Sequence, residues 1–184
     1  FAFHSCGDGG RYAARHNAYN WNGTTGIAPV FDAHGNEGVG GNYASMGTEV
    51  SYNLITSTNN ESIRIEDARG GKHLVNNNDA ITTSGVDMTT KEEFSDDCNP
   101  TNNGSATSDG EPQHVSGTYF WGNTKNGSTP VNATIAIECS TTTCSVQNCL
   151  AENVDFFNTT YSYTPYTYPH PLRVHTTTYV PWVH

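Results

Sequence analysis

The sequence predicts an all-β chain: a right-handed parallel β-helix solenoid with long loop insertions and a Tyr/Pro-rich C-terminal cap. Three observations carry that expectation. The composition is made of strand and turn formers, an asparagine-centred element recurs along the chain, and apolar residues alternate without any helical period. Asn, Thr, Gly and Ser (20, 25, 18 and 14) fill 77 of the 184 positions, while hydrophobic residues make up only 34%. Thr, Tyr, Val and Ile suit a pleated surface, and Gly, Asn and Asp suit turns that need positive φ. Disordered chains are charged and poor in aromatics; this one has seven Phe, ten Tyr and three Trp and is only 14% charged. Its length favours one domain over two small ones.

The recurring element reads aromatic or aliphatic, polar, Asn, then apolar. It is found as RHNAY at Asn17, SYNLI at Asn53, LVNNNDAI at Asn76 to Asn78, FWGNTK at Asn123 and AENVDFF at Asn153. Taken through Asn77, the intervals are 36, 24, 46 and 30 residues. Three short strands and their turns need about two dozen residues, so the longer intervals imply insertions. Asn tolerates the left-handed region and bonds neighbouring backbone, and stacked coils can align such residues into a ladder.

Local patterns point the same way. Ile63 and Ile65 alternate with Arg64 and Glu66, and Val50, Tyr52 and Leu54 alternate in VSYNLI, each set directed to a core. Gly-Gly pairs at 9–10, 40–41 and 70–71 punctuate the runs. Coils are therefore expected over 1–160, with insertions at about 91–116 and 123–148, and an irregular capping tail over 161–184. A Pro-rich aromatic segment cannot pair as a central strand and suits the open end or side of a solenoid.

Composition also excludes partners. Eight Lys and Arg against 18 Asp and Glu give a net charge of −10, with no basic patch for nucleic acid. No apolar run is long enough to span a bilayer as a helix. The cysteines, Cys6, Cys98, Cys139, Cys144 and Cys149, lack the close pairing of a zinc site. Disulfides among Cys98, Cys139, Cys144 and Cys149 in an oxidising compartment are expected, with the pairing open. Five thiols leave one over, and the chain starts without Met, which together suggest a mature or truncated product. Six sequons, at Asn22, Asn60, Asn103, Asn126, Asn132 and Asn158, are glycosylation positions in a eukaryotic secretory setting.

The order RHNAY, FDAHGNEGVGG, TEVSYNLI, EDARGGKHLVNNN, YFWGN, then DFFN and YTPYTYPHPLR resembles the C-terminal portion of right-handed parallel β-helix proteins of the pectate-lyase-like superfold. The closing YTPYTYPHPLR is the most specific element. The resemblance implies further coils ahead of RHNAY, and any site those coils would complete.

Among the residues themselves, the densest polar group is Arg15, His16, Asp32, His34, Glu49, Arg69 and His73. A polysaccharide lyase needs a base for the proton α to a uronate carboxylate and a cation for the charge that develops. Asp32 or His34 fits the base and Arg69 the cation. A glycoside hydrolase needs two carboxylates, nominally Asp32 and Glu49. FDAHGN and DARGGK equally read as turns in which Asp caps backbone and Arg pairs with a carboxylate. No cofactor is expected; Glu92, Glu93, Asp96 and Asp97 form an acidic run without the spacing of a Ca2+ loop. Tyr161, Tyr163, Tyr166, Tyr168, Tyr179 and Trp182 in the tail offer ring faces, and Tyr163, Tyr166, Tyr168 and Trp182 are the carbohydrate-binding choices. The expectation is an extracellular or cell-surface module with a structural, adhesive or carbohydrate-binding role, assembling end to end into a homo-oligomer or filament through exposed coil ends. The alternative is a polysaccharide lyase or hydrolase.

Overall fold

The computed structural model describes residues 4–6, 10–21, 29–34, 45–91, 115–136 and 150–165. Among them there is no helix, and so none long and apolar enough to cross a membrane. The strands fall into rounds. First come β1 (His4–Cys6), β2 (Arg11–Arg15) and β3 (Ala18–Asn20); then β4 (Pro29–Ala33), β5 (Gly47–Ser51) and β6 (Leu54–Thr56). The third round is β7 (Ile63–Arg69), β8 (Lys72–Asn76) and β9 (Asp79–Ile81). The fourth is β10 (Val86–Lys91), β11 (Thr118–Trp121) and β12 (Thr124–Lys125), followed by β13 (Thr129–Pro130), β14 (Ala133–Ile135) and β15 (Phe156–Phe157).

Each round contributes one strand to each of three sheets. The first sheet is ordered β1-β4-β7-β10-β14, the second β2-β5-β8-β11-β15, and the third β3-β6-β9-β12-β13. Every pairing between rounds is parallel, and only the β12–β13 hairpin is antiparallel. The stretch 123–136, expected within an insertion, thus carries three short strands, because the hairpin returns the chain to the first sheet as β14.

The corner between the second and third sheets explains the asparagine repeat. In successive rounds it is two residues long: His16-Asn17, Tyr52-Asn53, Asn77-Asn78 and Gly122-Asn123. The first of each pair has φ between 53° and 62°, in the left-handed region. The second forms a ladder. Asn53 Nδ2 donates to Asn78 Oδ1 (2.9 Å) and to the Ala14 carbonyl (2.8 Å); Asn78 Nδ2 donates to Asn123 Oδ1 (2.9 Å) and the Val50 carbonyl (2.9 Å). Asn17 Nδ2 bonds Asn53 Oδ1 at one end, and Asn123 Nδ2 bonds the Val75 carbonyl at the other. The same Oδ1 atoms accept the backbone N–H groups of Asn17, Asn53 and Asn78. Each side chain therefore satisfies corner groups that the strands leave over. Asn153 belongs to a separate turn, where its N–H bonds the Phe156 carbonyl.

The core lies between the sheets. Ile63 and Ile65 are fully buried, as their alternation predicts, with Val30, Phe31, Val50, Ile55, Val75, Met88, Phe120 and Phe156. Burying each such side chain contributes about 1.5–3 kcal/mol. Tyr52 and Leu54 depart from the expected alternation and are 52% and 42% exposed. The left-handed turn at Tyr52 breaks the period of two, so Ile55 takes the inward position.

Long connections leave from one place. Between the first and second sheets the chain runs through 34–46, 92–117 and 136–155, whereas β7 and β8 are joined by Gly70-Gly71 alone. Both glycines have positive φ, and a Cβ on Gly71 would lie 2.0 Å from the Ser45 carbonyl oxygen. The described part of the C-terminal tail lies on the outer face of the second sheet. Tyr161 stacks on Tyr119 (4.2 Å between centroids), and Tyr163 meets Trp121 edge-on (5.9 Å).

Candidate functional site

The residues expected to form a catalytic group divide between two sheets. Asp32 on β4 and Arg69 at the end of β7 meet in the first sheet, Arg69 Nη2 lying 2.8 Å from Asp32 Oδ1. They belong to a buried chain of charge. Arg69 Nε lies 3.6 Å from Asp67 Oδ2, Lys91 Nζ lies 3.0 Å from the same oxygen, and Thr89 Oγ1 donates to Asp67 Oδ1 (2.7 Å). Register produces this: Asp32 is opposite Asp67, Asp67 opposite Thr89, and Arg69 opposite Lys91. Glu49 lies on β5 in the second sheet, paired with Arg15 at 2.9 Å and accepting the Tyr163 hydroxyl at 3.1 Å. His34 follows β4, is partly exposed, and its carbonyl accepts the Ser45 N–H.

A second polar group, inside the fold, was not legible in the sequence. Thr48 Oγ1 lies 3.2 Å from Glu66 Oε1 and 3.0 Å from His73 Nδ1, and all three side chains are buried. The remaining imidazole nitrogen, Nε2, bonds the Gly70 carbonyl. A carbonyl only accepts, so Nε2 carries the proton and Nδ1 is the acceptor of a neutral ring. Burial lowers the His73 pKa to about 4 and pushes the Glu66 carboxyl well above its ordinary range, with Asp32 and Asp67 adding to the rise. Thr48 Oγ1 donates to Glu66 Oε1 and lies against His73 Nδ1, so one hydroxyl joins the buried carboxyl to the neutral ring. Glu66 is hidden from sequence reasoning because Ile63 and Ile65 set an alternation that places it outside. The strand carries an irregularity where β7 pairs β10, and Glu66 turns inward opposite Phe31.

An open concavity lies on the outer face of the second sheet, at the first residues of β2, β5 and β8. A groove of about 490 Å3 is lined by Arg11, Ala13, Met46, Gly47, Glu49, Lys72 and Leu74, with Tyr12 and Thr48 contributing to its floor. It adjoins the corner from which the long connections leave. Beyond it, the column Ala13, Glu49, Leu74 continues in register into Tyr119 and Phe157, which stack at 4.7 Å. Tyr163 closes that side: it accepts from Asn76 Nδ2 at 3.5 Å and reaches Glu49 at the rim. Burial raises its phenol pKa, and the Glu49 carboxylate contributes to the rise.

Of the other expected positions, Asn60, Asn126 and Asn132 are exposed and Asn158 is partly buried. Asn126 and Asn158 commit their amides to the backbone of Thr82 and Ala133. Asn22, Asn103, Tyr166, Tyr168, Trp182, the acidic run 92–97 and Cys98, Cys139, Cys144 and Cys149 lie outside the described residues. No group of His, Cys, Asp and Glu among the described residues has metal-binding geometry. No family model matches the chain, and no similar curated protein or solved structure is found.

Proposed function

We propose that the chain is a right-handed parallel β-helix module, secreted or displayed at a cell surface, that binds glycan along the outer face of its second sheet. The groove carries this reading: an open concavity lined by apolar stems (Met46, Leu74) beside charged heads, on the same face as the Trp121 and Tyr163 rings. Sugars present such a mixture of apolar ring faces and polar edges, and sites of this kind set a few polar groups in an apolar lining. The tail over 161–165 acts as a cap along the side of the solenoid, completing one rim.

A lyase or hydrolase built on Asp32, His34, Glu49 and Arg69 is the less favoured reading. Asp32 and Arg69 are committed to each other under the first sheet's cover, while Glu49 faces the second sheet's groove. Retention of the protein on immobilised glycans tests the preferred reading. Leu74→Asp in the groove abolishes retention, whereas Ile81→Asp on the third sheet leaves it unchanged; equal retention by the two variants refutes it. Ultraviolet absorbance of unsaturated product on incubation with acidic polysaccharide would favour the lyase.

A structural role is compatible with the same architecture. A second copy can extend the sheets from β2 and β3, each paired on one side only among the described residues. Sedimentation that is independent of concentration would refute such assembly.

A further inference from the structure

We infer that the groove is an anion clamp formed by Arg11 and Lys72, so that the glycan it takes is an acidic one bearing carboxylate or sulfate. This rests on the glycan reading and gives it a ligand class. Cations are scarce in this chain and carboxylates abundant, eight Lys and Arg against 18 Asp and Glu. The described cations are correspondingly used up within the fold. Arg15, Arg64, Arg69 and Lys91 form ion pairs with Glu49, Asp87, Asp32 and Asp67, and Lys125 donates to the Ser84 carbonyl. Arg11 and Lys72 differ: both are exposed, neither has an ion pair or side-chain hydrogen bond among the described residues, and both line the same groove.

Register sets their spacing. Arg11 is opposite Gly47 and Gly47 opposite Lys72, so the two cations flank one strand and their Cα atoms are about 10 Å apart. The residue between them has no side chain and has no room for one, because a Cβ on Gly47 would lie 2.7 Å from the Lys72 carbonyl oxygen. The result is a notch with a positive head on either side. Glu49, the carboxylate among the described residues that lines the same groove, does not cancel them, since Arg15 and the Tyr163 hydroxyl already hold it. Arg and Lys at this separation can grip one carboxylate or sulfate from both sides, or two successive ones on an extended chain. The net charge of −10 opposes any polyanion at long range, so binding here reports the local pair.

The test measures binding by calorimetry to matched polymers, dextran sulfate against dextran and polygalacturonate against its methyl ester, with inorganic sulfate as a further arm. The wild-type protein binds the acidic polymers and not their neutral partners. Arg11→Gln and Lys72→Gln each weaken that binding about tenfold, while Lys125→Gln, on the third sheet, leaves it unchanged, all with unaltered thermal midpoints. Equal binding of neutral and acidic polymers overturns the clamp but leaves the glycan reading standing. Acidic binding that survives both substitutions also overturns the clamp. Binding of inorganic sulfate alone overturns the acidic glycan as ligand, and binding of none of these probes removes the glycan reading as well.

Discussion

Replacing His73 with Gln should change how stability depends on pH, in a direction fixed by its burial. In the folded chain the imidazole is neutral with a pKa of about 4, against 6.5 when exposed. The unfolded chain therefore binds a proton as pH falls through 6.5, while the folded chain resists until about 4. The stability His73 contributes is fully present above pH 7.5 and is lost on acidification. The difference corresponds to about 3 kcal/mol in all, of which about 2 kcal/mol is gone by pH 5. Glu66 acts with the opposite sign. Its raised pKa means that the folded chain holds a proton the unfolded chain has released, so its contribution is present below the ordinary carboxyl pKa and is lost as pH rises. The two slopes oppose each other in the wild-type chain and are separated only by substitution. Urea unfolding followed by tryptophan fluorescence from pH 7.5 to 4.5 provides the measurement. His73→Gln should lose less stability than wild type on acidification, by about 2 kcal/mol at pH 5, whereas Glu66→Gln should lose more. If the His73→Gln and wild-type curves run parallel, the ring is not neutral in the folded chain and the Glu66–Thr48–His73 arrangement is wrong.

Three further substitutions probe the frame. Asn78→Ala removes two donated and two accepted hydrogen bonds at a buried corner and should cost about 3 kcal/mol by denaturant midpoint; a loss under about 1 kcal/mol would show the ladder to be ornamental. Gly71→Ala combines positive φ with a 2.0 Å approach to the Ser45 carbonyl, so a loss of about 3 kcal/mol or failure to fold is expected in a thermal melt. Lys91→Met strips Asp67 of its 3.0 Å partner but leaves Arg69 and Thr89, so about 2 kcal/mol should be lost; restoration by Lys91→Arg would confirm that the charge matters.

Those features differ in how far the sequence discloses them. Alternation in SIRIED places Ile63 and Ile65 in the core because a straight strand has a fixed period. The asparagines declare the corner because few residues both follow a left-handed turn and satisfy stray backbone groups. Tyr52 and Leu54 mislead for the same reason: the corner interrupts the strand just where alternation would have continued. The site was much less readable. Asp32 and Arg69 are 37 residues apart and meet only through register, and Arg15 meets Glu49 across 34. The groove depends on a residue with no side chain, Gly47, lying between two cations far apart in the sequence. No local pattern records which glycine that will be.

The unequal corners bear on how such a chain changes over time. One corner is held to two residues in every round by its amide column, while the opposite one accepts lengths from two residues to more than twenty. Register is thus stored in a single hinge line, and the largest variation in length falls at a corner away from that line. New segments can be gained or lost there with little penalty, since the entropic cost of a longer loop grows only slowly with length. The strands they join end at the corner beside Gly47 and Lys72, so what borders the groove can be rewritten while the scaffold is inherited intact.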